Sequence, residues 1–179
     1  MRQLLVEHTH FNDPEKREHI RRLLIRAAQQ KTIPIVNYND PVSDEENRKM
    51  ELAIRRSHGD QVVECVDNDE TAAVIANLVH AKKLVLMTST EGIYRDPADP
   101  KTLVEQVTAK SMEELEEKVR QLQESCVGAS RAGANGAKAK LEYALKSARQ
   151  GTMVIIGHAR HRLSDLVEGR VACTRIGLE

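Results

Sequence analysis

The residues with the clearest chemical potential lie in the stretch GASRAGANGAKAK at 128–140, which combines glycines with closely spaced lysines and leads into a helical segment. Free N–H groups at a helix start carry the positive end of the helix dipole, and nearby ammonium groups add to that charge. The pattern favours a phosphate site if the loop is ordered. A surface loop with solvated lysines explains the loop alone equally well, because neither a Walker A loop nor a GxGxxG turn is present.

Two clusters of short carboxylates and amides each follow a segment that is predicted to be a strand. They are Asn37-Tyr38-Asn39-Asp40 and Asp67-Asn68-Asp69. Such side chains at strand ends can orient an amino group, or hold the lysines that surround a phosphate. Turn formation and helix capping explain the same residues without a ligand, and we expect Asp67 or Asp69 to cap a helix in either case.

Other residues capable of catalysis or metal binding lack a supporting pattern. The histidine pairs with metal-like spacing are His8 with His10 and His158 with His161. No cysteine or HExxH frame accompanies either pair, so ordinary exposed histidines are the favoured interpretation and no metal site is predicted. Cys65, Cys126 and Cys173 form no CxxC pair, which favours a reducing compartment over a disulfide framework. No serine lies in a GxSxG elbow, so hydrolase chemistry has no support.

Composition excludes several classes of partner. The 179 residues include 27 Lys plus Arg and 27 Asp plus Glu, so no net charge attracts the chain to nucleic acid or to an anionic membrane. Aromatic residues make up only 2%, which leaves few stacking platforms for single-stranded nucleic acid. No apolar run approaches the length of a membrane span, and no export signal is visible. We therefore expect a cytoplasmic protein with a single α/β domain over residues 1–179.

Alternating helices and strands must position the candidate residues. Amphipathic spacing and capping residues predict helices at 14–30, 67–81, 111–125 and 141–150, and a short turn or helix at 165–169. Short β-branched runs predict strands at 33–37, 61–66, 83–88, 103–107, 152–157 and 171–176. Residues 43–60 are charged and ambiguous, with some helical character at 46–55. This alternation implies a mainly parallel sheet with helices on both faces.

Five segments, in order along the chain, resemble the amino acid kinase family. They are RQLLVEHTHFNDPEKREHIRRLL, IPIVNYNDPV, VDNDETAAVIANLVHAKKLVLMTSTEGIYRDP, GANGAKAKLEYALKSARQG and DLVEG. The family pattern has a strand ending in N-E-N-D, G-D-N-D before a helix, T-D-x-x-G-L-Y after a strand, and G-T-G-G-M-x-T-K-L opening a helix. The resemblance runs from about Gln3 to Arg175 and corresponds to the later part of the family's kinase domain. Family members that phosphorylate glutamate are the most similar.

The resemblance implies a role for each matching residue. Asn37, Asp40 and Asn68 would face glutamate, and Asp69 would organise the active-site lysines. The nucleotide-binding residues would be Thr88, Ser89, Ala134, Asn135, Gly136, Lys138 and Lys140. Lys140 would stabilise the phosphoryl group in flight, in a pocket that also faces Asp69. The implied reaction moves the γ-phosphoryl of ATP, bound with Mg2+, to the side-chain carboxylate of glutamate, the first step toward proline.

The sequence departs from the family pattern at several of these positions. The replacements are Tyr38 for Glu, Ser89 for Asp, and Ala134, Asn135 and Ala137 for Thr, Gly and Met. Each change weakens a nucleotide or substrate contact, and a charged insertion at 45–59 separates the two Asx clusters. The family's early segment, with its first glycine-rich phosphate loop, has no counterpart, so we expect weak nucleotide binding and little catalysis by this chain alone.

Two alternatives stay open. The chain could be a non-catalytic interaction subunit that forms a homo-oligomer or complements a separate N-terminal chain, because an incomplete α/β domain leaves apolar strands to be covered. It could also act on a related acceptor, such as another carboxylate, carbamate or a nucleoside monophosphate.

Overall fold

The structure, a computed structural model, describes residues 2–38, 68–96, 98–125 and 136–179. Contacts between residues divide the chain into two units, 1–75 and 76–179. The predicted strand at 61–66 and the ambiguous stretch at 43–60 lie outside the described residues. The single-domain expectation stays a prediction.

The first unit contains two parallel strands joined through helices. Its elements are β1 (Arg2–Val6), α1 (His8–Asn12), α2 (Pro14–Gln29) and β2 (Pro34–Tyr38), and Leu4 pairs with Val36 in the parallel register. Asp13 begins α2, since its Oδ1 accepts the N–H groups of Glu15 at 2.9 Å and Lys16 at 3.1 Å. The helix α3 (Asn68–Leu78) starts in this unit and ends in the second.

The two faces of the β1–β2 sheet differ in cover. One face carries Val6, which is fully buried. Helix α2 has a buried side of its own, formed by Ile20, Leu24 and Ala27. Alternation along the strands places Leu5 and Ile35 on the other face, with Ile33 just before β2 in the same alternation. Their exposed fractions are 49% for Leu5, 45% for Ile35 and 72% for Ile33.

The second unit is built on a four-stranded sheet. Its strands are β3 (Lys83–Thr88), β4 (Gln106–Ala109), β5 (Met153–His158) and β6 (Thr174–Leu178), in the order β3-β5-β6-β4. Its helices are α4 (Met112–Ser125), α5 (Gly136–Ala148) and α6 (Leu163–Glu168), with a 3-10 turn at Pro100–Thr102. β3 pairs parallel with β5, and β4 pairs parallel with β6, but β5 and β6 are antiparallel. The carboxyl ends of β3 and β5 therefore share one edge of the sheet, here called the Thr88 edge, with the amino ends of β4 and β6.

The core of the second unit is centred on β5, in which Val154, Ile155 and Ile156 are all fully buried. Ile155 packs with Leu166 of α6 and with Cys173. Val154 and Ile156 point to the opposite face, where α4 and α5 pack on the sheet. The mainly parallel sheet with helices on both faces is thereby confirmed.

The outer strand β4 has one backbone edge that faces away from β6, and a side chain binds part of it. The backbone of Glu105 and Ala109 faces β6, because their carbonyls accept the N–H groups of Arg175 and Glu179. Thr108 therefore directs its carbonyl away from the sheet, where Lys118 Nζ of α4 donates to it at 2.8 Å. A side chain thus occupies a position that a further strand would use.

Element boundaries differ from the predicted ones in several places, among them the unpredicted helix α1 and the start of α5 at Gly136 rather than at 141. The strand β1 was not predicted, and β4 and β6 each begin three residues later than expected. Leu103 instead bridges to Tyr94, and the Val104 N–H donates to the Ile93 carbonyl at 2.8 Å, so this part of the predicted strand belongs to a loop hairpin. Val171 packs in the Ile155 cluster before β6 begins. Within the described residues, no helix combines the length and apolar character needed to cross a membrane.

Candidate functional site

Two strand ends lie side by side at the Thr88 edge. Thr88 is the last residue of β3 and is half-buried, and the exposed Ser89 follows it. Thr88 pairs in register with His158, the last residue of β5, and the Ala159 N–H donates to the Thr88 carbonyl at 2.8 Å. The segments that leave β3 and β5 therefore start as neighbours, which is where ligands bind in sheets of this type.

Helix α5 returns its amino terminus to this edge. A tight connection joins α5 to β5, with Gly151 at φ +80° and the Thr152 N–H donating to the Ser147 carbonyl at 3.2 Å. The chain reverses there, and a 13-residue helix and a 6-residue strand are both about 20 Å long. Since α5 packs along β5 and β6, its first residue, Gly136, lies toward the end of the sheet that carries Thr88.

The first turn of α5 has the electrostatic character of an anion site. It contains no acidic residue, whereas the first turn of α4 contains Glu113 and Glu114. Lys138 is exposed and Lys140 is half-buried. Gln123 Nε2 of α4 donates to the Lys138 carbonyl at 3.0 Å and ties this turn to the neighbouring helix. The positive helix end and two lysines are the groups that stabilise a phosphate.

The loop after β3 is fastened to β6 by a buried threonine. Thr174 Oγ1 accepts the Ile93 N–H at 2.8 Å and donates to the Val104 carbonyl at 2.7 Å. A Cβ on Gly92 would lie 2.3 Å from Thr174 Oγ1, so only glycine fits this close approach. Sequence reasoning missed Thr174; the only signal was the glycine of the TSTEGIY segment.

A second cluster missed from the sequence joins the segments that follow the two strands. Glu91, after β3, forms an ion pair with Arg160, and its Oε2 lies 2.6 Å from His161 Nε2. The partners are about 70 residues apart in sequence. The available signal was a pair of charged segments directly after two neighbouring parallel strands.

The predicted substrate residues lie in the first unit. Asn37 is exposed near the carboxyl end of β2, Asn68 is the exposed first residue of α3, and Asp69 is half-buried beside it. Asp40 lies outside the described residues, as do Ala134 and Asn135 of the nucleotide set. The structure thus brings Thr88, Ser89 and the start of α5 to one edge within the second unit. The role of every predicted site residue, including the convergence of Lys140 and Asp69 on one pocket, stays a prediction.

None of the four histidines is exposed as expected, since His8 is buried and the other three are half-buried. His10 Nδ1 accepts the Glu7 N–H at 2.8 Å, and His158 Nδ1 accepts the Arg160 N–H at 3.0 Å. In the described ranges, no group of three or more His, Cys, Asp or Glu side chains is arranged to hold a metal ion.

A cavity of about 730 Å³ runs along β4 and α4. Val107 and Leu122 contribute apolar surface, and Lys110, Glu114 and Lys118 contribute charge. None of the predicted site residues lines this cavity.

Comparison with known proteins identifies one family. Residues 2–158 match the Amino acid kinase family. The glutamate 5-kinase of Geobacillus kaustophilus is 30% identical over 179 residues, which is 98% of this chain and 42% of that protein. The glutamate 5-kinase of Chromobacterium violaceum is 28% identical over 177 residues, again with 42% of that protein covered.

A solved structure shows the fold. A protein from Aeropyrum pernix K1 superposes with a TM-score of 0.51 at 17% identity, covering 89% of this chain and 45% of that one. The chain therefore spans less than half the length of the relatives that it matches.

Proposed function

Because the chain belongs to the amino acid kinase family, we propose that it takes part in glutamate 5-kinase-type transfer of the γ-phosphoryl of ATP to the side-chain carboxylate of glutamate. The observation that carries the proposal is the return of the α5 amino terminus to the Thr88 edge. In this proposal the second unit binds the nucleotide. The matched relatives are more than twice as long as this stretch, so the complete reaction belongs to the proposal as well.

The phosphates of the nucleotide would lie at the start of α5. The N–H groups of the first turn, beginning near Gly136, and the ammonium of Lys138 would neutralise the phosphate charge. Lys140 would stabilise the charge that develops on the phosphoryl group as it moves, and Thr88 and Ser89 would line the site from the strand side. Phosphoryl transfer depends chiefly on positioning and charge, so these groups suit the reaction without covalent participation by the protein.

Magnesium would arrive with the nucleotide. Mg2+ prefers oxygen ligands, and when bound it would neutralise part of the charge of the nucleotide phosphates. The absence of acidic residues from the first turn of α5 fits a site that receives phosphate oxygens directly.

The acceptor would be held by the Asx clusters. Asn37, Asp40 and Asn68 would orient glutamate, and Asp69 would hold the active-site lysines in place. Location in the cytoplasm and a place in proline biosynthesis are parts of the same proposal. The departures at Ser89 and around Asn135 lead us to expect weak nucleotide affinity and little turnover by the chain alone.

Calorimetric titration with Mg-ATP, without glutamate, tests the nucleotide site, because ATP keeps the phosphoryl group that Lys140 would contact. We expect Lys140→Ala to raise the dissociation constant on the order of 10- to 100-fold, because a charge-assisted hydrogen bond to phosphate is lost. Lys146→Ala is the matched control, because Lys146 lies in the last turn of the same helix and pairs with Glu142. Absence of binding by the unaltered chain, or equal affinities for the Lys140 variant and the control, would contradict the proposal.

A second candidate function is supported by the exposed apolar face of the first unit. Leu5, Ile33 and Ile35 lie on a sheet face that parallel strands normally bury. An interaction subunit would cover this face by forming a homo-oligomer or by binding a complementary N-terminal chain. We expect light scattering to show a mass that rises with concentration, and the triple change of these residues to Thr to reduce that rise. A monomer at all concentrations would remove the self-association form of this candidate.

A further inference from the structure

We propose that Glu91 is a positioning residue that fixes the Thr88–Ser89 segment and the segment after β5 in the arrangement that binds nucleotide. The inference rests on the proposed function, because it assigns a supporting role beside the same nucleotide site. Glu91 itself is not proposed to contact the nucleotide. It would act through Arg160 and His161.

The need for such a residue follows from where the backbone pairing stops. Among the described residues, the Ala159 N–H to Thr88 carbonyl bond is the last backbone bond between the two segments as they leave β3 and β5. Beyond it the two segments are joined by side chains. Glu91 lies three residues after Thr88, and Arg160 and His161 follow Ala159 directly, so this contact continues the connection that the ladder no longer provides.

The partners of Glu91 are presented by a tight turn. The Arg160 N–H donates to His158 Nδ1 at 3.0 Å, and the His161 N–H donates to the His158 carbonyl at 3.1 Å. These bonds fix the backbone that carries the guanidinium and the imidazole. One carboxylate then accepts from both groups, which defines its position from two directions.

The degree of exposure separates a positioning role from a loose surface contact. The side chains of Glu91 and His161 are only 17% and 21% exposed, whereas that of Arg160 is 63% exposed. Two of the three groups are thus largely shielded from water and have limited freedom. An exposed pair of long side chains would fix little.

For the nucleotide affinity of a Glu91 variant, an electrostatic effect alone and a loss of positioning predict changes of opposite sign. Removing a carboxylate near a phosphate site removes a negative charge and releases a positive guanidinium, which on charge grounds strengthens nucleotide binding. If Glu91 holds the segments in place, its removal weakens binding instead. The sign of the change therefore distinguishes the two effects.

The experiment measures Mg-ADP affinity of the full chain by calorimetry. We expect Glu91→Ala to raise the dissociation constant on the order of 10-fold, which is typical for loss of a supporting group, and Glu91→Gln to raise it less because an oxygen acceptor is kept. Arg160→Ala attacks the same contact from its exposed side and should raise the constant as well. The double variant should be no weaker than the worse single variant, because both remove one interaction.

The matched control is Glu105→Gln, which removes the same charge from an exposed side chain near the same edge of the sheet. We expect its affinity to stay within about twofold of the unaltered chain, or to tighten. Amide exchange without nucleotide adds an independent measurement, and exchange at residues 158–161 should be faster in Glu91→Ala.

The outcomes separate this inference from the function on which it rests. If the unaltered chain binds no nucleotide, the proposed function fails and the inference fails with it. If the unaltered chain binds and both Glu91 variants bind equally well or more tightly, only the inference is overturned. A loss of affinity in Glu91→Ala that is absent from an Arg160→Ala/His161→Ala double variant would also overturn it, because the proposed route runs through both partners.

Discussion

β2 and β5 are both strands in parallel pairings, but only β5 is buried on both faces. Val154, Ile155 and Ile156 are fully buried between helices on either side, whereas Ile35 of β2 is 45% exposed. Parallel strands normally need cover on both sides. β5 is therefore covered within its own unit, whereas the first unit has an apolar face available for a partner or for another part of a longer protein.

The largest expected effect is a difference in the free energy of unfolding between two truncations, one in a strand of each unit. Ile155→Ala should reduce the free energy of unfolding by about 2–5 kcal/mol, because it opens a cavity among Leu166 and Cys173. Ile35→Ala should change it by less than about 0.5 kcal/mol. Urea unfolding monitored by circular dichroism gives both values. Similar losses at the two sites would show that the face of β2 is covered in solution.

The loop that follows β3 is held by close packing in the second unit. Gly92→Ala should destabilise the second unit by about 1–3 kcal/mol, because the added Cβ meets Thr174 Oγ1 at 2.3 Å and its backbone nitrogen at 2.9 Å. Gly151→Asn is the control: no atom lies within 4 Å of a Cβ there, and asparagine tolerates the φ of +80°. Thermal unfolding compares the two variants. A stable Gly92→Ala protein would contradict the fastening of this loop to β6.

The smallest effect concerns the surface of α2 in the first unit. Hydrogen bonds from Arg21 and then Arg22 lower the pKa of Glu18 from 4.5 to about 2. A lowered pKa stabilises the folded state above the unfolded value, so this contribution is complete above pH 4.5 and is lost as the pH falls toward 2. The unfolding midpoints of the unaltered chain and Glu18→Gln should differ slightly at pH 7 and converge near pH 2. A difference that grows on acidification would reverse the expected sign.

Local patterns predicted much of the fold, and the misses have a common cause. α2 was predicted from Asp13, Pro14 and the apolar spacing, all of which act within one helix. β1 was missed because its short run RQLLV becomes a strand by pairing with β2, about 30 residues away. β6 was placed three residues early, because nothing local shows that Val171 packs in the Ile155 cluster before the strand begins.

The candidate site divides in the same way. The start of α5 was predicted from its glycines and lysines at a helix start, whereas Thr88 and Ser89 were predicted from the resemblance to the amino acid kinase family. The Glu91 contact with Arg160 and His161 could not be predicted, because it depends on the register between β3 and β5. Thr174 was missed for the same reason: its hydroxyl joins Ile93 and Val104, which precede it by 81 and 70 residues.

The Lys118 ammonium occupies the outward carbonyl of Thr108, so the two outer strands of the second unit's sheet differ in how readily they can pair with a further strand. At β4 an incoming strand would have to displace an ammonium group from the backbone acceptor that it needs. In the described part of the chain, β3 is the outer strand on the opposite side of the sheet, and it carries Thr88. A strand that widened this sheet would leave the Lys118 bond intact only at the β3 side, where it would lie next to the proposed nucleotide site.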